Sequence, residues 1–213
     1  MLQTEGRNYK LAKNQYEGYH YIDLDNFYTY ENSFVLINKQ NILDPNLAKN
    51  NEHLYVSKRL ADLYILPIPV YSMTDILKIH KYLFQDVYSW AGQYRKVNIT
   101  KSGNPFMSIQ SFNSAENFIN DLINTYHQKT NTKESIIKNL AKILDCLNFF
   151  HPFREGNGRT QREVIRVLAL SKGYKAQIRV SEDDIVYNTY MDGTVYGDLQ
   201  KLEQLFEKIL EKI

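Results

Sequence analysis

The sequence predicts an all-α protein that carries one short β-hairpin. Apolar residues recur at helical spacing in most segments, and only nine Gly and five Pro occur among the 213 residues. One stretch instead alternates like a strand on either side of a glycine-containing turn. Since 43% of the residues are hydrophobic, the chain can bury a core as one domain. No internal repeat or flexible linker divides it.

Composition narrows the classes of protein to which the chain could belong. A formal net charge of +2, from 26 basic and 24 acidic residues, gives no electrostatic argument for nucleic-acid binding. No run approaches the ~20 apolar residues that span a bilayer, and the N-terminus lacks the apolar stretch of a signal peptide. The single Cys146 fits a small core residue. We expect a cytoplasmic protein, with secretion through a specialised system left open.

Six helices are predicted from periodicity and end signals. In the first, Leu47 and Leu54 belong to the apolar face, and Pro67 ends it. Thr74 and Ser114 are predicted to cap the second and third. The predicted helices are Leu47–Leu66, a segment from Thr74, a segment from Ser114, Lys133–Phe150, Arg162–Lys172 and Gly197–Ile213.

Two regions depart from helical periodicity. Tyr94–Ile109 has Val97 and Ile99 in alternation, then Lys-Ser-Gly-Asn-Pro, then Phe106, and it is predicted to be the hairpin. Tyr19–Tyr30 is rich in tyrosine without a clear period, and core packing is the simplest interpretation of these rings.

The stretch between the fourth and fifth helices has the residue types of an anion-binding turn. Pro152 cannot continue the helix before it. Gly156, Asn157 and Gly158 tolerate positive φ at low cost, so successive N–H groups can converge on an anion. The turn opens into a helix, whose first N–H groups and dipole also favour an anion.

The charged residues around this turn indicate a nucleotide. Arg159 and Arg162 lie on one side of the helix and can bind phosphate oxygens in a bidentate manner. Glu155 would repel phosphate unless a cation such as Mg²⁺ bridges the two. His151 can accept a proton near neutral pH. Each feature alone is usually structural, because a Gly-Asn-Gly turn is mostly just a turn and a His at a helix end is mostly a surface residue. Their combination predicts a phosphate site with a metal and a base.

These residues resemble a known family. His151-x-Phe153-x-Glu155-Gly156-Asn157-Gly158-Arg159-x-x-Arg162 matches the full motif of the Fic domain, named for filamentation induced by cyclic AMP. Ser89 to Ile99, which contains Trp90-Ala91-Gly92, looks like the segment that leads into the Fic flap hairpin, and Gly197 onward resembles the closing helix. The resemblance implies a Fic-fold helical bundle over 19–213, with its core at about 70–175 and a closing helix at about 197–213, after an N-terminal extension of 1–18.

The resemblance also implies an activity, because family members mostly transfer AMP from ATP to a hydroxyl group of a protein. His151 would deprotonate the target Tyr, Thr or Ser, and Phe153 would anchor the loop. Glu155 would bind Mg²⁺ between the α- and β-phosphates. The phosphates would be held by the anion hole and the arginines, which are Gly156, Asn157, Gly158, Arg159 and Arg162.

Alternatives within the family and outside it stay open. Doc-type relatives, which phosphorylate, carry lysine where Gly158 stands, so AMP transfer is favoured over a kinase. Another nucleotide or a phosphocholine donor, and a non-catalytic nucleotide-binding module, are further alternatives. In the family an extended target segment pairs with the flap by strand addition, and the corresponding positions here are Val97, Asn98, Ile99 and Phe106.

Regulation is predicted to come from outside the chain. Many Fic proteins carry an inhibitory Ser/Thr-x-x-x-Glu-Gly/Asn motif, whose glutamate pairs with the arginine that corresponds to Arg162. Asn188-x-x-x-Asp192-Gly193 has the spacing but lacks the hydroxyl residue and the glutamate. The prediction is a separate small antitoxin that supplies the glutamate. The alternative is an enzyme, or a secreted effector, without a brake.

Overall fold

The computed structural model describes residues 19–21, 27–101, 104–178 and 185–213. The predicted extension 1–18 lies outside these ranges. The described residues form seven α-helices and five short strands. The helices are α1 (Pro45–Ile65), α2 (Met73–Phe84), α3 (Phe112–Lys129), α4 (Lys133–Phe150), α5 (Asn157–Ser171), α6 (Ile185–Tyr196) and α7 (Leu199–Ile209). The strands are β1 (Tyr19–Tyr21), β2 (Ile99–Lys101), β3 (Asn104–Pro105), β4 (Tyr174–Lys175) and β5 (Glu211–Lys212).

Helix α4 lies at the centre of the bundle. It packs against α3, α5, α6 and α7, while α2 packs against α1, α3 and α5. Leu140 and Leu144 on α4 and Val164 and Leu168 on α5 are completely buried. Because α4 buries an apolar face among several neighbours, it forms a rigid support for the motif that begins at its C-terminal end.

The bounds of α4 agree with the prediction, and those of α5 do not. Thr132 caps α4 in a reciprocal pair with Ser135, the arrangement of a capping box. The prediction for α5 began it at Arg162, but the helix begins at Asn157. Gly156, with φ of +82°, turns the chain directly into the helix, so the loop is shorter and α5 starts inside the motif.

Three other helices begin or face differently from the prediction. Ser72 and Ser111 precede α2 and α3, where Thr74 and Ser114 were expected. On α1 the predicted face is wrong in part: Val56 is buried as predicted, but Leu47 and Leu54 are exposed, and the inward face also includes Ala48 and Glu52. The spacing of the apolar residues predicted the helix, but it did not predict every residue of the face that packs on α2.

The C-terminal region and the hairpin also differ in part from the prediction. Helix α6 was not predicted, and the predicted Gly197–Ile213 helix is instead α7 followed by β5, which pairs with β4. The predicted hairpin is present as β2 and β3, with shorter strands than its alternation indicated. A third strand, β1, from the tyrosine-rich segment, pairs antiparallel with β2 and makes β2 the middle strand.

In the described ranges, no helix is long and apolar enough to cross a membrane. Cys146 is half-buried on α4, and burial raises the pKa of its thiol to about 11. A protonated thiol packed in this way is a core residue rather than a nucleophile.

Candidate active site

The motif loop 151–156 connects the two central helices, and two left-handed residues bracket it. His151 ends α4 with φ of +46°, and Gly156 precedes α5 with φ of +82°. A left-handed histidine is uncommon and costs conformational energy. The surrounding contacts therefore have to hold it, and they also fix the direction of its ring.

Asn157 braces the loop from within. Its Oδ1 accepts a hydrogen bond from the Phe153 N–H at 2.9 Å, and its Nδ2 donates to the Phe153 carbonyl at 2.7 Å. The first N–H bond of α5 runs from Thr160 to the Gly156 carbonyl. The N–H groups of residues 157–159 therefore lie at the open N-terminal end of the helix, where an anion is favoured.

The tautomer of His151 is fixed by the end of its own helix. Nδ1 donates to the Asn148 carbonyl at 3.1 Å, so the neutral ring carries its lone pair on Nε2. The Phe106 ring stacks on the imidazole with ring centroids 3.6 Å apart. Burial, with smaller contributions from the charges of Lys101 and Arg95, lowers the pKa of His151 to about 3. The histidine is therefore neutral, as a general base must be.

One guanidinium lies between two carboxylates beside the loop. Arg159 Nη1 is 2.6 Å from Glu52 Oε1, and its Nη2 is 3.3 Å from Glu155 Oε1. The Glu155 carboxylate also accepts the Gly156 N–H at 2.8 Å. Burial and the charge of Glu52 raise the pKa of Glu155. Burial alone would lower the pKa of Arg159, but the charges of Glu52 and Glu155 outweigh it and raise that pKa.

Arg162 has a different environment from Arg159. Its guanidinium lies 6.0 Å from the ring centroid of Tyr190 on α6. Asp192 on the same helix pairs with Lys201 at 2.9 Å. Among the described residues, none forms an ion pair with Arg162. In the segment Asn188 to Gly193, which has the spacing of the inhibitory motif, Asp192 therefore pairs with Lys201 and not with Arg162.

His80 on α2 contacts the motif loop through a hydrogen bond and a ring stack. Gly92 N–H donates to Nδ1 at 2.8 Å, so Nε2 carries the proton and donates to the Glu155 carbonyl at 3.0 Å. The ring also stacks on Phe153, with centroids 3.7 Å apart and planes 8° apart. Burial lowers the pKa of His80 to about 3. The side chain is a neutral connector between the loop and the Trp-Ala-Gly segment.

Arg95 ties the flap to the same loop. Its Nε donates to the His151 carbonyl at 2.9 Å, Nη1 to the Val97 carbonyl at 2.6 Å, and Nη2 to the Met107 carbonyl. Burial lowers the pKa of Arg95 to about 10. Of the predicted docking positions, Val97 and Asn98 precede β2, whereas Ile99 begins it and is buried. Phe106 follows β3 and covers His151.

Sequence reasoning missed three of these side chains, Glu52, His80 and Arg95. A signal existed for two of them. Glu52 falls four residues from Ala48 and from Val56, and His80 shares the inward face of α2 with Ile76 and Ile79. A titratable residue on an inward helical face needs a buried partner. The sequence does not show which partner that is.

The carboxylates near the loop fit a metal ion that binds together with a phosphate ligand. Within the described part of the chain, no three His, Cys, Asp or Glu side chains cluster as a metal site. Two buried carboxylates lie near the start of α5, and because Glu52 is closely paired with Arg159, Glu155 is the candidate ligand for a cation. Mg²⁺ is commonly held by one or two carboxylates together with phosphate oxygens, so Glu155 suits a shared magnesium rather than a resident one.

Fold and site together define a helical protein in which a loop with a buried, neutral histidine opens into a helix N-terminus and is covered by a hairpin. The Fic/DOC family model matches residues 70–169. A probable protein adenylyltransferase, y4lH of Sinorhizobium fredii, is 31% identical over an alignment of 178 residues that covers 81% of this chain and 90% of that protein. The chain therefore belongs to the Fic/DOC family, as the motif predicted.

Two further similarities extend over most of the chain. The probable protein adenylyltransferase Fic of Escherichia coli K12 is 27% identical over 186 residues, 87% of this chain and 92% of that protein. The crystal structure of the BepC effector protein with bound AMPPNP, from Bartonella tribocorum, superposes with a TM-score of 0.76. It is 22% identical and covers 90% of this chain and 100% of that one, so it confirms the helical Fic fold.

Proposed function

We propose that the protein is an adenylyltransferase that transfers AMP from ATP to a Tyr, Thr or Ser hydroxyl of a target protein. The observation that carries the proposal is the loop 151–156, which joins a neutral His151 to the open N-terminus of α5. The Sinorhizobium fredii and Escherichia coli relatives are both named probable protein adenylyltransferases. Transfer of a nucleotidyl group depends mainly on positioning the reactants and stabilising the charge of the phosphates. This loop has groups suited to both.

His151 is assigned the role of general base. Its Nε2 takes the proton of the target hydroxyl while that oxygen forms a bond to the α-phosphorus. The bond between the α-phosphorus and the bridging oxygen breaks, and pyrophosphate leaves. The Asn148 carbonyl holds the opposite ring nitrogen, so the lone pair stays on the reacting side of the ring.

The phosphates are assigned to the start of α5. The N–H groups of Gly158 and its neighbours bind the α- and β-phosphates, and Arg159 and Arg162 hold the β- and γ-phosphates. Asn157 contributes through its main chain, because its side chain is committed to Phe153. Glu155 would hold Mg²⁺, which neutralises phosphate charge in the reaction.

The flap, 97–107, is assigned to target docking and Arg162 to regulation. An extended target segment that pairs with the flap would lie beside Phe106 and His151. Arg162 corresponds to the arginine with which an inhibitory glutamate pairs in the family, and the motif for that glutamate is incomplete at Asn188 to Gly193, which supports a separate antitoxin that supplies it. We place the reaction in the cytoplasm of the producing cell or, for an exported effector, in that of its host.

A kinase is the second candidate, and the space around Gly158 argues against it. A Cβ at this position would stand 3.2 Å from Arg162 Nη1, so a lysine there would displace that guanidinium. A non-catalytic nucleotide-binding module is less consistent with a buried His151 whose ring is held in one tautomer.

Labelled ATP distinguishes these candidates. The protein is incubated with cell lysate and ATP that carries ³²P at either the α- or the γ-phosphate. Protein labelling from the α-position alone is expected. Labelling from the γ-position alone would identify a kinase, and no labelling with ATP binding intact would identify a binding module.

His151→Ala is the control variant for the assigned base. It should lose α-labelling by about 100-fold or more and still bind ATP with unchanged affinity. Transfer that survives this substitution would remove His151 from the role of base.

A further inference from the structure

Glu52 belongs to the site although it lies on α1, outside the motif loop. It is 1% exposed, its Oε1 pairs with Arg159 Nη1 at 2.6 Å, and its Oε2 accepts the Tyr88 hydroxyl. A buried carboxylate is stable only when it is paired and hydrogen-bonded. Both of its oxygens meet this requirement, so the position of Glu52 is tightly defined.

Arg159 is held on more than one side. Its guanidinium lies 4.7 Å from the ring centroid of Phe84, with Glu52 close and Glu155 more distant. The 2.6 Å pair with Glu52 is a strong charge-assisted contact, whereas the 3.3 Å contact with Glu155 is long for a hydrogen bond. The arginine is thus paired more closely with α1 than with the loop.

This asymmetry matters for Glu155. A carboxylate in a close bidentate pair with arginine would have to give up that pair before it could bind a cation. A carboxylate with only a long contact gives up little. Resting on the function proposed above, we propose that Glu52 is a positioning residue that holds Arg159 away from Glu155 and keeps the Glu155 carboxylate accessible to a magnesium–nucleotide complex.

A second buried ion pair on α5 provides a matched control. Glu163 pairs with Arg166 at 2.7 Å, and Arg166 also donates to the Leu63 carbonyl on α1. Each pair has a buried carboxylate and each contacts α1, through Glu52 itself in one case and through the Leu63 carbonyl in the other. Only the pair of Glu52 lies beside the loop, so Glu163→Gln reproduces the loss of a buried charge without the positioning effect.

The experiment measures nucleotide binding as a function of Mg²⁺. Wild type, Glu52→Gln and Glu163→Gln are titrated with α,β-methylene ATP, which cannot transfer AMP, at stepped Mg²⁺ concentrations. In Glu52→Gln, Arg159 moves onto Glu155 and competes with the metal. The Mg²⁺ concentration for half-maximal binding is expected to rise about fivefold or more in this variant and to stay within about twofold of wild type in Glu163→Gln.

A structure of nucleotide-free Glu52→Gln provides a readout that does not involve the metal. The distance between Arg159 Nη2 and Glu155 Oε1 is expected to shorten from 3.3 Å to that of a close ion pair. Unchanged magnesium dependence, or an equal change in both variants, would overturn the positioning role.

Tyr88→Phe tests the same idea if Glu52→Gln does not fold. It removes the hydroxyl that holds Glu52 and is expected to shift the magnesium dependence in the same direction by a smaller factor. Folding is monitored by the fluorescence of the single Trp90, which stacks on Tyr88 at 4.3 Å. Failure of the wild type to bind the nucleotide at any Mg²⁺ concentration would instead overturn the function on which the proposal rests.

Discussion

At the scale of single residues, Gly156 and Gly158 of the motif are needed for different structural reasons. Gly156 has a positive φ, and a Cβ at that position would overlap the ring of Phe84. Gly158 is helical, and a Cβ there would meet only the end of the Arg162 side chain and the Tyr190 hydroxyl. One glycine is required by the packing of the loop, and the other leaves room for a ligand.

Replacing each glycine by alanine separates these two reasons. Gly156→Ala is expected to lower the free energy of unfolding by about 2–4 kcal/mol, from left-handed backbone strain and overpacking. Gly158→Ala is expected to change it by less than about 1 kcal/mol but to weaken ATP binding several-fold. Urea unfolding and calorimetric titration measure the two effects, and equal stability losses in both variants would contradict this division.

At the scale of elements, the flap does two things at once. It covers the base through Phe106, and Arg95 anchors both ends of it to the loop. The covered histidine is neutral over the whole physiological pH range because its pKa is about 3. In the proposed function the flap therefore acts on the base as well as on the target.

Phe106→Ala is expected to uncover His151 and raise its pKa toward about 6.5. In wild type, transfer should not decline through protonation of His151 between about pH 8 and pH 5. In the variant an acidic limb should appear near about pH 6, since the protonated ring cannot act as a base. The measurement is kcat/KM against pH on a target labelled in the lysate. The control is Phe118→Ala, an exposed phenylalanine on α3, and identical profiles for both variants would refute the covering role.

Strand β1 occupies one edge of the flap. His20 pairs with Thr100, and Tyr19 and Tyr21 pair with Lys101 and Ile99. The remaining edge strand, β3, is short and contains Pro105, which has no N–H to donate. A target that adds a strand to β2 must therefore displace residues 19–21.

Removing residues 1–26 is expected to lower the KM for a protein target several-fold and leave the KM for ATP unchanged. A second variant tests the converse by tying β1 to β2 with a disulfide. It combines His20→Cys and Thr100→Cys, two paired positions, with Cys146→Ser to remove the native thiol. This variant should lose transfer when the disulfide forms and regain it when the disulfide is reduced. Steady-state kinetics on the labelled target test both. A truncated protein whose KM for the target is unchanged would show that docking does not use this edge.

At the scale of the whole molecule, the site contains two buried histidines that stay neutral. His80 and His151 are both held near a pKa of about 3 by burial. An unfolded chain protonates histidine below about pH 6.5, and the folded chain does not. The folded state therefore loses stability as the pH falls from about 6.5 toward about 3.

His80→Gln should reduce this acid sensitivity. Between about pH 7 and pH 5 the variant is expected to lose about 2 kcal/mol less unfolding free energy than wild type, although it is less stable at neutral pH because its contacts with Gly92 and Phe153 are changed. Urea unfolding at both pH values measures this difference. The exposed His53→Gln is the control, and an equal pH dependence in wild type and His80→Gln would refute the buried neutral state.

The sequence by itself determined the helical fold and the residues of the loop. Periodicity located α4 to the residue, because its apolar face and its ends are local features. The motif placed His151, Glu155, Arg159 and Arg162 in one short segment, so their proximity did not depend on the fold. The same reasoning missed α6, whose apolar residues are not confined to one face, and it placed the exposed Leu47 and Leu54 on the inward face of α1.

Only the tertiary structure decided which distant side chains complete the site. Glu52 comes from α1, His80 from α2, and Arg95 from the segment before the flap. Each is a polar group that becomes stable in the interior only when the packing of separate helices brings a partner to it. A local pattern can show that such a residue faces inward. It cannot show that Glu52 meets Arg159, because that contact exists only once α1 and α5 lie side by side.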